Sequence, residues 1–137
     1  MAYLEWNENY SVGIKTMDNH HKKLFSIVNE LHNGMSSGHT TEVLRKVLSE
    51  LVDYTKYHFT EEEDLMRKYD YPELASHKEE HDELIEMVQD LQQQFDKRKG
   101  ELTIIMKMQD FLRSWWVNHI IGIDKKYGPY LNSKGIV

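Results

Sequence analysis

Histidines at inward-facing helix positions are the residues of this sequence with the types and spacing for chemistry. The chain has eight histidines among 137 residues and no cysteine. Five of the eight fall on apolar stripes that advance in the three- and four-residue steps of an α-helix: His21, His58, His77, His81 and His119. One histidine on such a stripe is usually an ordinary core residue, but every neutral imidazole needs both a donor and an acceptor. Five on four converging faces therefore indicate a shared metal centre.

Two carboxylates extend this candidate ligand set. Glu62 follows His58 by four residues, so both side chains share a helix face where hydrocarbon is expected. A buried carboxylate without a partner costs several kcal/mol, so it is usually paired or bound to a metal. Taken alone, the pair also fits a solvated acidic face beside one core histidine. Asp124 follows His119 by five residues, about 140° apart on an ideal helix. Either the helix loosens near Gly122, or Asp124 reaches across from the rim.

The size of the set indicates how many ions it would hold. His77 and His81 are spaced i, i+4, the usual spacing of two histidines that bind one ion. Five imidazole nitrogens and two carboxylates are too many for one tetrahedral or octahedral ion. The set suits two ions that share Glu62 and Asp124.

The elements that must position these residues are four amphipathic helices joined by short loops. They predict an all-α fold, an up-down-up-down antiparallel four-helix bundle with an N-terminal extended arm. We expect Asp18 to cap the first helix, Thr40 or Thr41 to cap the second, and Gly128-Pro129 to end the fourth. The chain is predicted to be one domain, residues 1–137, with an arm over 1–17 and helices over about 18–36, 41–68, 73–98 and 101–127.

Charge and composition exclude several partners and cofactors. The formal net charge of −6 without a basic patch argues against nucleic acid and anionic membranes. The absence of cysteine excludes disulfides, Fe–S clusters and zinc–thiolate sites. The N-terminus lacks the pattern of a signal peptide, and no apolar run approaches the roughly 18 residues of a membrane span. We therefore expect a cytoplasmic protein that is a monomer or a weak oligomer.

Two other metal-site patterns fit the sequence less well. His77-Lys78-Glu79-Glu80-His81 matches H-x-x-E-H, the inverted zinc-protease signature, but Glu79 and Glu80 are expected on a solvated face. The chain is also short for a protease domain with a substrate cleft. The ferritin-like di-iron pattern requires Glu-x-x-His on two helices, and none of the eight histidines follows a glutamate by three residues.

The chain resembles the hemerythrin family in its bacterial single-domain form. Five separate pieces carry the resemblance in the same order and run almost from end to end: Trp6-Asn7-x-x-Tyr10-Ser11-Val12, Asp18-x-x-His21-Lys22-x-Leu24-Phe25, His58-Phe59-x-x-Glu62-Glu63, His77-x-x-x-His81 and His119-Ile120-x-x-x-Asp124. Any one of these pieces would be a weak signal, whereas the ordered set is specific.

The resemblance implies a cofactor of two iron ions joined by an oxo or hydroxo bridge, with O2 as ligand. One iron would take His77, His81 and His119, the other His21 and His58, and both would share Glu62 and Asp124. By the same resemblance, an apolar wall around the O2 pocket would be formed by Leu24, Phe59, Trp115, Ile120 and Tyr127. These five residues also fit ordinary core packing.

The function that the resemblance implies is reversible O2 binding for transport, storage or delivery, without enzymatic turnover. An O2-consuming protein would then be the recipient. A di-iron redox enzyme that scavenges peroxide or NO, and an O2 or iron sensor, stay as alternatives.

At two places in the candidate site, neighbouring residues of the same type compete for the ligand position. His20 stands where the family often has glutamine, and we select His21 as the ligand because it lies on the stripe of Leu24 and Val28. Among Glu61, Glu62 and Glu63, only Glu62 is four residues after His58. We expect His20 to affect the polarity or access of the site rim.

Overall fold

Helices account for nearly all of the structure in a computed structural model that describes residues 3–38, 40–97 and 102–137. Within these ranges there are five α-helices and no strand. The helices are α1 (Lys15–Ser36), α2 (Thr41–Lys68), α3 (Leu74–Lys97), α4 (Leu102–His119) and α5 (Lys125–Ser133), and a π-helical segment, Ile120–Asp124, joins α4 to α5. Because the chain stays helical from Leu102 to Ser133, these last three elements form one long fourth helix.

The helices pack as the predicted antiparallel four-helix bundle, which is confirmed. Each helix contacts its neighbour in sequence, and α4 also packs against α1, which closes the ring. In this arrangement the beginnings of α1 and α3 lie at the same end of the bundle as the end of α2 and the π segment. The seven candidate ligands all occupy this end. The other end is mainly aliphatic, with fully buried side chains that include Leu31, Leu48, Leu51 and Ile105, and it also buries the ring of Phe95.

The first helix begins three residues earlier than predicted. Ile14 occupies the N-cap position and makes no side-chain hydrogen bond to the helix. Asp18 lies in the first turn and accepts hydrogen bonds from the Val12 amide at 2.8 Å and the Ser11 hydroxyl at 2.6 Å. The prediction that Asp18 caps α1 was therefore wrong, because its carboxylate binds the preceding arm. Thr40 does cap α2, accepting from the Val43 amide at 3.3 Å.

The N-terminal arm crosses the bundle and buries Leu4, Val12 and Ile14. It contains one 3₁₀ turn, Glu8–Tyr10, whose preceding residue Asn7 accepts a hydrogen bond from the Asn9 amide. The rings of Trp6 and Tyr10 lie 5.7 Å and 5.2 Å from the ring of Phe25. The arm is therefore part of the hydrophobic core.

The fourth helix does not end at Gly128-Pro129. Helix α5 continues through Pro129 to Ser133. A Cβ atom on Gly128 would lie 2.0 Å from the Val12 carbonyl oxygen, so glycine allows the arm to cross the helix at this point. The glycine that suggested a helix end is therefore a close-packing position.

Some predicted boundaries lie outside the described residues. These are the expected end of the third helix at Arg98 and the expected start of the fourth at Glu101. Helix α2 ends at Lys68 with Tyr69 as its C-cap, and the next residue, Asp70, has a positive φ of 54°. Among the residues that the structure describes, no helix combines the length and apolarity required to cross a membrane.

Candidate metal centre

The seven predicted ligands converge in the buried interior at one end of the bundle. His21 comes from α1, His58 and Glu62 from α2, His77 and His81 from α3, His119 from α4 and Asp124 from the π segment. Each has 2% or less of its surface exposed. Their ligand atoms form two overlapping groups, within each of which the atoms lie no more than 4.8 Å apart. The first group joins three histidines to the two carboxylates, and the second joins His21 and His58 to the same carboxylates.

Glu62 directs its two carboxylate oxygens towards different groups. Its Oε1 lies 3.1 Å from the Nε2 atoms of both His77 and His81. Its Oε2 lies 3.3 Å from His58 Nε2 and 3.6 Å from His21 Nε2. A carboxylate in this position can bind one ion through each oxygen.

Asp124 divides its oxygens in the same way. Its Oδ1 lies 2.9 Å from the Nε2 atoms of both His77 and His119, whereas its Oδ2 lies 3.1 Å from His21 Nε2. The two carboxylates therefore stand between a set of three imidazoles and a set of two. This is the arrangement required for two ions that share both carboxylates.

The π segment places Asp124 in this cluster. Its i→i+5 hydrogen-bond pattern widens the helix and brings residues five positions apart towards the same face. The sequence left two routes open for Asp124, and the structure shows the first, in which the helix loosens around Gly122. Asp124 is fully buried as a result.

Unpartnered polar atoms are the clearest sign that the cluster fits metal ions. Both ring nitrogens of His21, Nε2 of His58 and both oxygens of Asp124 are buried without a hydrogen-bond partner in the part of the chain that the structure describes. The Nε2 atoms of His81 and His119 lie 3.2 Å apart. Buried groups of this kind are costly unless hydrogen-bonded or bound to an ion. Imidazoles and carboxylates together suit iron, zinc and manganese.

The mutual proximity of these groups changes their acid–base behaviour. Burial alone would lower the pKa of His21, but the nearby carboxylates of Asp124 and Glu62 favour its charged form more strongly and raise that pKa to about 9. Burial would likewise lower the pKa of His77, but the Asp124 and Glu62 carboxylates raise it to about 10. Burial dominates at His58 and lowers its pKa to about 4. Burial would raise the pKa of Glu62, yet the surrounding imidazoles hold it well below its usual range. Glu62 therefore carries a negative charge at neutral pH.

Aromatic rings cover the ligands of the three-histidine set. Phe59 stacks on His81 with a ring-centroid distance of 3.7 Å, and Trp115 stacks on His119 at 4.2 Å. The hydroxyl of Tyr127 donates to Glu62 Oε2 at 2.6 Å. Burial and this carboxylate raise the pKa of Tyr127 well above its usual value. Leu24 and Ile120, the other two predicted wall residues, are fully buried, whereas Trp115 is only half-buried.

Three polar residues beside the ligands were not predicted as partners. Oε2 of Glu63 lies 2.8 Å from His81 Nδ1, and Oε1 of Glu80 lies 3.1 Å from His119 Nδ1. Nδ1 of His20 lies 2.9 Å from His58 Nδ1. Glu79 is exposed and the Glu80 side chain is 38% exposed, as expected of a solvated face, but the Glu80 carboxylate also reaches across to His119 on α4. His20 is 9% exposed, so it belongs to the interior and not to the rim.

Comparison with known proteins agrees with this geometry. The model of the hemerythrin HHE cation-binding domain matches residues 12–131. The chain belongs to the hemerythrin family. It is 38% identical to the bacteriohemerythrin of Methylococcus capsulatus over 134 residues, which is 97% of this chain and all of that protein. It is 35% identical to a hemerythrin-like protein of Naegleria gruberi, covering 89% of this chain and 88% of the relative.

Solved hemerythrin structures have the same fold. A wild-type hemerythrin crystal structure superimposes with a TM-score of 0.86 at 36% identity, covering 93% of this chain and 97% of that chain. The crystal structure of a hemerythrin point mutant superimposes with a TM-score of 0.87 at 37% identity, covering 94% of this chain and 97% of that chain. Membership of the hemerythrin family accounts for the H-x-x-E-H pattern on α3 without a protease fold.

Proposed function

We propose that this chain binds O2 reversibly at a non-haem di-iron centre, as a carrier, store or delivery protein. The observation that carries the proposal is the unequal division of five imidazoles about two shared carboxylates. His77, His81 and His119 serve one position, and His21 and His58 serve the other. The position with fewer protein ligands is the one with room for O2. When bound, the iron pair supplies the electrons that make O2 binding favourable and reversible.

The side chains around the site favour reversible O2 binding over the oxidation of a substrate, for two reasons. The set contains five neutral nitrogen donors and only two carboxylates, so it stabilises high-valent iron less than a carboxylate-rich site would. Buried Leu24, Phe59 and Ile120 belong to the hydrophobic core around the cluster. They leave little room for an organic substrate, and their exclusion of water protects the reduced centre from oxidation. The same proposal makes an O2-consuming protein the recipient.

The experiment that tests this function is repeated oxygenation. Iron-loaded, reduced protein is exposed to O2 and degassed over several cycles, with the optical spectrum recorded and peroxide assayed in the medium. We expect uptake of one O2 per pair of irons and full recovery of the reduced spectrum in each cycle. Stoichiometric peroxide release, or continuous O2 consumption with an electron donor, would instead show a redox enzyme.

A wall variant and a matched control sharpen the test. Leu24→Ala should speed oxidation of the reduced centre, because water and anions gain access to it. Leu48→Ala makes the same change at a fully buried residue of the aliphatic end and should leave the oxidation rate near that of the wild type. Equal acceleration in both variants would show that general loosening of the core, and not local shielding, controls oxidation.

A further inference from the structure

His20 is a buried histidine that is adjacent to a candidate ligand in sequence but serves a different residue in space. Its Nδ1 atom lies 2.9 Å from Nδ1 of His58 on α2. The rings of Tyr54 and Tyr57 lie 6.0 Å and 5.5 Å from its own ring. His20 is therefore held between aromatic side chains with one nitrogen directed at His58.

The contact between the two rings restricts where their protons reside. Nε2 of His58 lies in the cluster, where it must offer a lone pair to bind an ion. A neutral imidazole carries one N–H, so the proton of His58 is then on Nδ1. Two N–H groups cannot face each other at 2.9 Å. Nδ1 of His20 must therefore accept from His58, and the proton of His20 is on its own Nε2.

Two outer nitrogens of the three-histidine set contact charged groups, unlike that of His58, which contacts a neutral imidazole. Two of its members face carboxylates, His81 with Glu63 and His119 with Glu80. A carboxylate that accepts the outer N–H makes the imidazole a stronger donor to the metal. His58 has a neutral acceptor instead, and Nδ1 of His21 has no partner among the described residues. The histidines of the two-histidine set are consequently the weaker donors.

We propose that His20 is a positioning residue that holds His58 in its Nδ1–H tautomer and, as a neutral acceptor, keeps the two-histidine position less electron-rich than the other. This inference rests on the proposed di-iron site. It concerns the polar contact that His58 makes outside the cluster and does not require that the centre carry O2.

The test uses the full chain with four substitutions. His20→Gln keeps a neutral acceptor, His20→Glu makes it charged, and His20→Leu removes it. His32→Leu is the matched control, because His32 is also on α1 but contacts Gln109 at 3.3 Å. Zinc-loaded protein gives the tautomer of each ligand histidine by ¹⁵N NMR, and zinc titration gives the affinity of each of the two positions. Iron-loaded protein gives the midpoint potential.

The expected results separate positioning from general packing. Wild type, His20→Gln and His32→Leu should all retain two ions and the Nδ1–H tautomer of His58. His20→Leu should bind the second ion about ten- to a hundredfold more weakly, the usual effect of losing such a partner. His20→Glu should shift the midpoint potential below that of His20→Gln.

The proposal is overturned if His20→Leu binds both ions as tightly as His32→Leu does, or if zinc-loaded wild type carries the His58 proton on Nε2. An unchanged potential in His20→Glu would remove the electronic part of the proposal. None of these measurements depends on O2, so failure of reversible oxygenation would leave the result for His20 standing.

Discussion

Burial distinguishes three consecutive glutamates in the C-terminal part of α2. Glu61 is exposed, Glu62 is 1% exposed and lies between the two ligand groups, and Glu63 is partly buried against His81. A helix turns by about 100° per residue, so neighbouring side chains with the same chemistry meet different surroundings. The three carboxylates therefore face different surroundings: solvent for Glu61, both groups of candidate ligand atoms for Glu62, and the His81 ring for Glu63.

Substitution of each glutamate should give a different metal content. Glu62→Ala should abolish paired metal binding, because one oxygen of Glu62 faces each ligand group. Glu63→Ala should retain the site with about ten- to a hundredfold lower affinity, since His81 loses its outer partner. Glu61→Ala is the control and should match the wild type. Elemental analysis and metal titration measure these outcomes, and a Glu61→Ala variant that loses the pair would show that the register is wrong.

Helix geometry at the end of α4 and the start of α5 links the arm to the candidate site. The π segment brings Asp124 into the cluster, and four residues later Gly128 meets the arm where the Val12 carbonyl crosses the helix. The arm is held in turn by Asp18 in α1, three residues before His21. Correct placement of this fourth helix therefore depends on a backbone contact with the N-terminal arm.

Gly128→Ala should destabilise the protein by about 1–3 kcal/mol, the usual cost of forcing extra volume into a packed region. The new Cβ would lie 2.0 Å from the Val12 carbonyl oxygen, so the arm or the helix must move. Gly122→Ala is the control, because a Cβ there would have no atom of the described residues within 4 Å apart from its chain neighbours and the backbone of its own helix. Urea unfolding of the metal-free variants measures both changes. Equal stability of the two variants would contradict the close contact with the arm.

At the scale of the whole molecule, the antiparallel bundle separates two kinds of interior. One end is a mainly aliphatic core that needs no ligand, while the other buries imidazoles and carboxylates, several of whose polar atoms lack partners among the described residues. Ions that bind only the folded state stabilise it by mass action, by about 2.7 kcal/mol at a hundredfold excess over Kd. Metal is therefore expected to stabilise the polar end selectively.

Removal of the metal should lower the melting temperature and leave part of the helicity intact. The aliphatic end retains its packing, whereas the ligand end is left with unpartnered buried groups. Calorimetry and circular dichroism of loaded and metal-free protein measure the difference. Glu62→Ala is the matched control, because loss of paired binding should reduce the rise in melting temperature that added metal gives. Equal melting temperatures for the loaded and metal-free wild type would contradict the prediction.

The sequence by itself determined the fold and the residues that face inward. Apolar periodicity identifies the buried face of each helix, because that face must repeat every three to four residues. It placed His21, His58, His77, His81 and His119 on inward faces, and the spacing of Glu62 from His58 selected one glutamate of three. These properties are local to one helix, so a one-dimensional pattern contains them.

Tertiary structure alone decided which residues meet across helices. Periodicity does not contain the axial offset between neighbouring helices, and that offset brings Glu80 to His119, Glu63 to His81 and His20 to His58. It likewise does not contain the local widening that directs Asp124 inward, or the approach of the arm that requires glycine at position 128. Each of these features depends on a second segment of the chain or on a departure from ideal helix geometry. Neither of these two causes leaves a mark on the apolar pattern of the sequence.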